Sequence, residues 1–201
     1  EEIEKRIRVI RMAARTVRQE FFSLAATAVL TRRRVALTYR ARYNDAKSER
    51  IVSPQRLVFY RGNWYLDGWC HARQGLRSFA LDRIEALALQ EVKSDDVPEA
   101  ELDAVLAAGY GIYSGSTLTW AALRFTPEAA RWVEAENWHP KQRAGHVADG
   151  SYLLEVPYSD DRELVMDILK YGADVEVIAP EALREKVKAR LAAALGVYAQ
   201  G

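Results

Sequence analysis

The spacing of apolar residues changes near residue 31, and this change limits the chain to folds that join a helix to a sheet. Over 3–24, apolar side chains recur every three or four residues, which is the spacing of a coiled-coil seam. The seam consists of Ile3, Ile7, Ile10, Ala14, Val17, Phe21 and Leu24. From Val35 onward apolar and polar residues alternate, as in a half-buried strand. The sequence therefore predicts one helix over 3–24 followed by β structure.

Turn residues divide the stretch after Val35 into short strands. We expect strands at 50–60, 64–71, 76–82 and 84–90. The link Arg61-Gly62-Asn63 is typical of a tight hairpin, because Gly accepts the positive φ that such turns require. Several short strands at this spacing predict a small antiparallel barrel.

A second series of elements begins near Thr117. The expected elements are strands at 118–125, 142–147, 152–158 and 175–178, a helix capped by Thr126, a helix from a capping box at Asp160 and Glu163, and a helix from Pro180 to Gly196. Their order is that of a ferredoxin-like arrangement with an added helix. We predict an α+β chain with four parts: a linker helix over 1–30, a barrel over 31–92, a linker over 93–116 and a C-terminal domain over 117–201.

The seam over 3–24 also bears on assembly. Its regularity favours a partner helix, and a dimer is the commonest arrangement. The alternative is a helix that packs on its own domain. The sequence starts at Glu1 without a Met and opens in the middle of a helix, so we expect a longer parent chain.

Charge is distributed unevenly along the chain. Residues 31–90 contain 12 Lys and Arg against 5 Asp and Glu, a net charge of +7, whereas residues 91–110 have a net charge of −5. A local basic block is a common feature of proteins that bind anionic partners. A solvated surface without a ligand is the alternative.

The sequence lacks the usual motifs of enzymes. It has no phosphate-binding loop and no nucleophile elbow. His71, His139 and His146 are not spaced as zinc ligands, and Cys70 and His71 are neighbours on a strand and should face opposite sides. We predict no catalytic residues, no metal and no cofactor. One cysteine and the absence of a long apolar run indicate a cytoplasmic protein without a membrane contact.

Two stretches of the predicted barrel carry a recognisable motif. They read Gly-Asn-Trp-Tyr-Leu-Asp-Gly-Trp over 62–69 and Arg-Ser-Phe-Ala-Leu-Asp-Arg-Ile over 77–84. Together they resemble the signature of the WYL-domain family of bacterial transcription regulators, and residues 117–198 resemble in layout the extension domain of that family. Ala80 departs from the pattern, because many relatives have a polar or basic residue there. Other family positions are matched by Tyr39, Arg50, Val52, Pro54 and Leu57.

The resemblance implies a regulator with a winged helix-turn-helix, a linker helix, an Sm/SH3-like WYL barrel and the extension. It implies that the barrel senses a ligand, with single-stranded nucleic acid as the leading class, and that members are often homodimers. Double-stranded operator DNA would be contacted only through an N-terminal domain outside this sequence.

The residues themselves indicate a similar site. On a strand over 64–71, Tyr65, Asp67, Trp69 and His71 share one face, which is aromatic with polar tips. Arginine binds phosphate with a planar fork, and aromatic rings stack on bases. Trp64, Phe79 and Leu81 are expected in the core. The predicted ligand-binding residues are Tyr39, Arg50, Tyr65, Trp69, His71, Arg73, Arg77 and Arg83.

Three functions remain open at this point. The first is an effector-sensing region that binds single-stranded DNA or RNA. The second is a sensor of a small anionic metabolite or nucleotide that uses the same arginines. The third is a purely structural dimerisation module.

Overall fold

A computed structural model of the chain describes residues 17–42, 44–106, 109–111 and 117–199. The chain divides into two compact units, Glu1–Glu101 and Leu102–Gly201. The described residues form five α-helices and two antiparallel sheets. The prediction of a mixed chain of helices and antiparallel strands is confirmed, and the boundaries between the four predicted parts of the chain stay predictions.

The first unit is built on a five-stranded sheet. Its strands are β1 (Arg33–Arg40), β2 (Lys47–Tyr60), β3 (Asn63–Cys70), β4 (Gly75–Ala80) and β5 (Ile84–Lys93). Their order is β4-β3-β2-β1-β5. Within the described residues β4 and β5 do not pair with each other, so the predicted closed barrel is not formed. The Sm/SH3-like assignment stays a prediction.

Strand β2 joins the two halves of this sheet. Its first half pairs with β1 and its second half pairs with β3, and the register shifts between Pro54 and Arg56. The hairpin to β3 turns through Arg61 and Gly62, at φ 46° and 75°. Asn63 already belongs to β3. The predicted tight hairpin is present, because these two residues adopt the left-handed conformation that a two-residue hairpin turn uses.

The core of the first unit lies between one helix and one face of the sheet, here called the inner face. Helix α1 (Gln19–Leu30) buries Phe21, Ala25 and Ala28 against it. The ring of Phe22 lies 4.9 Å from that of Trp64. As predicted, the core includes Phe79 and Leu81, with Trp64 packed against its edge. The opposite face of the sheet, here called the outer face, carries the residues that alternate with the core.

The predicted helix over 3–24 differs from the structure. Residues 1–16 lie outside the described residues, so most of the predicted seam does too. Val17 and Arg18 are not helical, and Arg18 has an extended backbone at φ −62° and ψ 123°. Its guanidinium donates to the carbonyl of Glu85 at 2.8 Å. The described residues of the predicted seam pack on their own unit: Phe21 is buried, and Val17 and Leu24 lie against the core. This packing agrees with the alternative to a partner helix, a helix that packs on its own domain.

The second unit has helices and a four-stranded sheet. The elements are α2 (Glu99–Leu106), which begins in the first unit, β6 (Thr119–Phe125), α3 (Pro127–Val133), β7 (Arg143–His146), β8 (Tyr152–Tyr158), α4 (Arg162–Lys170), β9 (Val175–Ala179) and α5 (Glu181–Tyr198). The strand order is β7-β8-β6-β9, with all neighbours antiparallel. The ferredoxin-like assignment stays a prediction. None of the described helices is both long and apolar enough to span a membrane.

Three helix ends in this unit can be compared with the start and end residues predicted from the sequence. Thr126 caps α3 as predicted, because its hydroxyl accepts from the amide of Ala129 at 3.3 Å. The predicted capping box is wrong: α4 begins after Asp161, and Asp160 binds Arg162 instead. Gly196 does not end α5, which continues to Tyr198.

We expect Gly68→Ala to destabilise the first unit. A methyl group on Gly68 would lie 2.5 Å from Val52 Cγ1 and 2.8 Å from the carbonyl oxygen of Ser53, and that backbone oxygen cannot move aside. Overpacking of this kind costs about 1–3 kcal/mol. Urea unfolding measures the change. The matched control is Gly145→Ala, also in a strand, where a methyl group meets nothing within 4 Å. Equal stability of the two variants would contradict the close approach.

Candidate functional site

The predicted ligand residues lie in three parts of the first unit. Arg50, Arg73 and Arg77 lie toward the end of the sheet where the β3–β4 turn is. Tyr65, Trp69 and His71 lie on the outer face. The third part consists of Tyr39 and Arg83.

The first part, here called the basic corner, consists of Arg50, Arg73 and Arg77. Arg73 lies in the turn after β3, and Arg77 Nη1 comes within 3.7 Å of the position where a Cβ of Gly75 would be. Arg50 precedes Ile51, whose carbonyl oxygen accepts from the His71 amide at the start of the same turn. The sheet register therefore gathers the three arginines toward one end of the sheet.

The second part lies on the outer face of β3. Tyr65 and Trp69 are half-buried there, and the ring of Tyr65 lies 6.4 Å from that of Tyr60. Asp67 lies between them but is almost fully buried. Its carboxylate accepts from Arg56 Nε at 3.0 Å and from the Ser78 hydroxyl at 2.5 Å. Asp67 therefore ties β3 to both neighbouring strands and leaves the two aromatic rings as the ligand-facing candidates.

His71 binds a neighbour that the sequence did not indicate. Its Nε2 lies 2.9 Å from the hydroxyl of buried Ser53 and 3.7 Å from Asp95 Oδ2. Ser53 Oγ also accepts from the Asp95 amide at 3.0 Å. Cys70 is fully buried in the core on the inner face, so the predicted separation of Cys70 from His71 is present.

The third part is engaged in contacts within the unit. Tyr39 packs on the core with its ring edge-on to Phe79, at 5.3 Å. Arg83 donates to the carbonyl of Arg40 and to Asp45, both at 3.0 Å. An anion would have to compete with Asp45 for the guanidinium of Arg83.

Ion pairs neutralise much of the basic block over 31–90. Arg32, Arg33 and Arg34 pair with Asp96, Glu91 and Asp95, which belong to the acidic stretch that follows in sequence. Further pairs occupy Arg40, Arg42, Lys47, Arg56 and Arg83. Within the described part of the chain, the arginines of the basic corner have no carboxylate partner.

Two sets of contacts in this unit could not be predicted from the sequence. The segment after β5 bonds to Ser53 and Gln55, and residues 40 positions apart give no periodic pattern. Asp45 holds Arg83 across 38 positions. A search of the described residues finds no group of three or more His, Cys, Asp or Glu side chains placed to hold a metal ion.

Two protein-family models match separate parts of the chain. Residues 20–89 match the model of the WYL domain, and residues 117–195 match the model of the WCX domain. The chain is 32% identical to Protein PafC of Mycobacterium tuberculosis (strain H37Rv) over 174 residues, which is 85% of this chain and 52% of the relative.

Two further proteins are similar. The chain is 28% identical over 159 residues to the uncharacterized HTH-type transcriptional regulator YobV of Bacillus subtilis, covering 76% of this chain and 49% of that one. Among solved structures, Proteasome accessory factor B/C (PafBC) of Arthrobacter aurescens matches 94% of this chain and 29% of its own, with 26% identity and a TM-score of 0.40. The chain spans about half the length of these curated relatives.

The charge network beside Arg83 predicts a pH dependence of stability. Hydrogen bonds from Lys47 and then Arg40 hold the pKa of Glu85 below its ordinary value of 4.5. A lowered carboxyl pKa stabilises the folded state above the ordinary value, and this contribution is lost as the pH falls through the lowered pKa. We expect Glu85→Gln to remove that part of the acid-induced loss, so that its urea midpoint falls less than that of wild type between about pH 6 and 3. Parallel pH profiles of the two proteins would contradict this assignment.

Proposed function

Because this chain contains a WYL domain followed by a WCX domain, we propose that it is the effector-sensing region of a DNA-binding transcription regulator, with single-stranded DNA or RNA as the effector. The observation that carries this proposal is the basic corner, Arg50, Arg73 and Arg77. These arginines have no carboxylate partner among the described residues, whereas eight other basic side chains of the same block are paired.

An arginine without an acidic partner binds phosphate without first breaking an ion pair. Its planar fork matches two phosphate oxygens. In the folded unit, Arg73 and Arg77 are exposed, and Arg77 donates to the carbonyl of the adjacent Leu76. Such side chains do little for folding, which supports a role in binding.

The outer face supplies the second half of the proposed interface. The half-buried rings of Tyr65 and Trp69 offer surfaces on which bases stack without a defined sequence. His71 lies beyond Trp69 on the same face. Because Arg83 and Tyr39 are engaged within the unit, we propose them as secondary contacts.

The wider function follows from the relatives. One of them is named an HTH-type transcriptional regulator, and this chain covers about half of its length. We propose that recognition of operator DNA belongs to a part of the protein outside residues 1–201, and that the regulator acts as a homodimer.

The central test is binding of a labelled 15-mer at several salt concentrations. We expect log–log slopes of about −0.7 for each phosphate neutralised. Arg73→Ala and Arg77→Ala should each weaken binding of all sequences alike and reduce the slope by about that amount. The control is Arg42→Ala, which removes the same charge from an arginine already paired with Asp82. It should change affinity less.

Two outcomes would overturn parts of this proposal. A 15-mer that does not bind at low salt, or binding that is unchanged in folded Arg73→Ala and Arg77→Ala proteins, removes the nucleic-acid role of the basic corner. A mononucleotide that binds as tightly as the 15-mer points instead to a sensor of small anions.

Stacking on Tyr65 gives a separate prediction. Tyr65→Ala should weaken binding of the 15-mer by about 1–3 kcal/mol and leave the salt slope nearly unchanged, because stacking releases no counterions. Tyr65→Phe keeps the ring and should bind like wild type. Thermal melting of each variant verifies the fold. A Tyr65→Ala protein that is folded and binds normally would exclude Tyr65 from the interface.

A further inference from the structure

The segment that follows β5, Ser94–Val97, lies against the first unit through a series of polar contacts. Its amides at Ser94, Asp95 and Val97 donate to Arg32 O, Ser53 Oγ and Gln55 Oε1, at 2.9, 3.0 and 3.1 Å. Gln55 Nε2 donates back to Asp95 O at 2.7 Å. The segment connects β5 to α2 and so forms the start of the connection to the second unit.

The carboxylate of Asp95 lies next to the side chains of Arg34 and His71. Arg34 Nη2 donates to both of its oxygens, at 3.1 and 3.2 Å. His71 Nε2 lies 3.7 Å from Oδ2 and 2.9 Å from the hydroxyl of Ser53, which is fully buried. A guanidinium and an imidazole beside one carboxylate are donors of the kind that bind an oxyanion, and the Ser53 hydroxyl holds the imidazole and the Asp95 amide next to them.

The fit of Asp95 in this site is incomplete. Arg34 Nε is buried without a hydrogen-bond partner within the described residues. The side chain of Asp95 is 55% exposed, so the ion pair is of the weak, solvent-screened kind. A ligand with more oxygens than a carboxylate, such as a phosphate, can use the remaining donor and can reach the site from solvent.

We propose that Arg34, Ser53 and His71, here called the anion seat, bind a phosphate of the nucleic-acid effector, and that Asp95 fills the seat until the effector displaces it. The ligand class rests on the proposed function. Trp69 supports the assignment, because it pairs with Ser53 in the sheet and places an aromatic ring next to the seat. Binding would then release the start of the connection to the second unit, which couples the sensor to the rest of the protein.

The first test compares two variants that each remove one negative charge. Asp95→Asn removes the negative charge that pairs with Arg34 in the anion seat. Glu91→Gln removes the negative charge that pairs with Arg33 elsewhere on the unit. Removing either negative charge should strengthen binding of any polyanion. Only the difference in affinity between the two variants therefore reports on the anion seat. We expect Asp95→Asn to bind the 15-mer about two- to fivefold more tightly than Glu91→Gln, the range that an exposed ion pair allows. Equal affinities would overturn the proposal.

The second test follows the connection directly, by amide hydrogen exchange of the 201-residue chain. A saturating 15-mer, or inorganic pyrophosphate as a base-free probe, should speed exchange of the Asp95 and Val97 amides at least severalfold. The Thr126 amide, bonded to Asp174 O in the second unit, serves as the control and should not change. A 15-mer that binds while the Asp95 and Val97 amides stay protected would overturn the inference and leave the proposed function intact.

The opposite outcome, in which the nucleic-acid function fails but the anion seat is real, can also be recognised. If the 15-mer does not bind but pyrophosphate releases the two amides, the anion seat stands and the nucleic-acid function fails. If neither probe has an effect on wild type or on Asp95→Asn, both proposals fail.

Discussion

The pairing of β2 with two partners is the constraint on which the first unit depends. One half of this strand pairs with β1 and the other with β3, so a slip of β2 by one residue would exchange inner and outer residues in both pairs. The tight approach of Gly68 to Val52 and Ser53 fixes the register at the centre of the strand. The same register puts Trp69 beside Ser53 and Arg77 opposite Gly68. The core and the aromatic residues of the outer face are therefore two faces of one alignment.

Pairing in space, rather than charge along the sequence, decides which basic residues are available to a ligand. The basic block and the acidic stretch that follows it are adjacent in sequence and also contact each other, through Arg32, Arg33 and Arg34. Asp95 binds the sheet through its amide, its carbonyl and its carboxylate. Among the described residues of the basic block, the arginines of the basic corner are thus left without a carboxylate partner.

Local chemistry was readable from the sequence, and long-range chemistry was not. The alternation around Trp64 and Tyr65, the hairpin at Gly62 and the cap at Thr126 depend on neighbouring residues, and each is present. Arg18, the residue before α1, bonds to a carbonyl 67 positions away, which no periodicity reveals. The candidate site divides in the same way. Strand alternation placed Tyr65, Trp69 and His71 on one face, but only the folded chain separates Arg83, held by Asp45, from Arg73 and Arg77.

The open sheet has a consequence for the behaviour of the protein at high concentration. Because β4 and β5 do not pair among the described residues, β4 is an edge strand with backbone groups that a strand of another molecule can pair with. Natural edges resist such addition when they are short and carry charge. Strand β4 has six residues, and the exposed side chain of Arg77 lies at its middle. Like charges on two approaching edges repel, so this arginine also protects the protein from edge-to-edge aggregation.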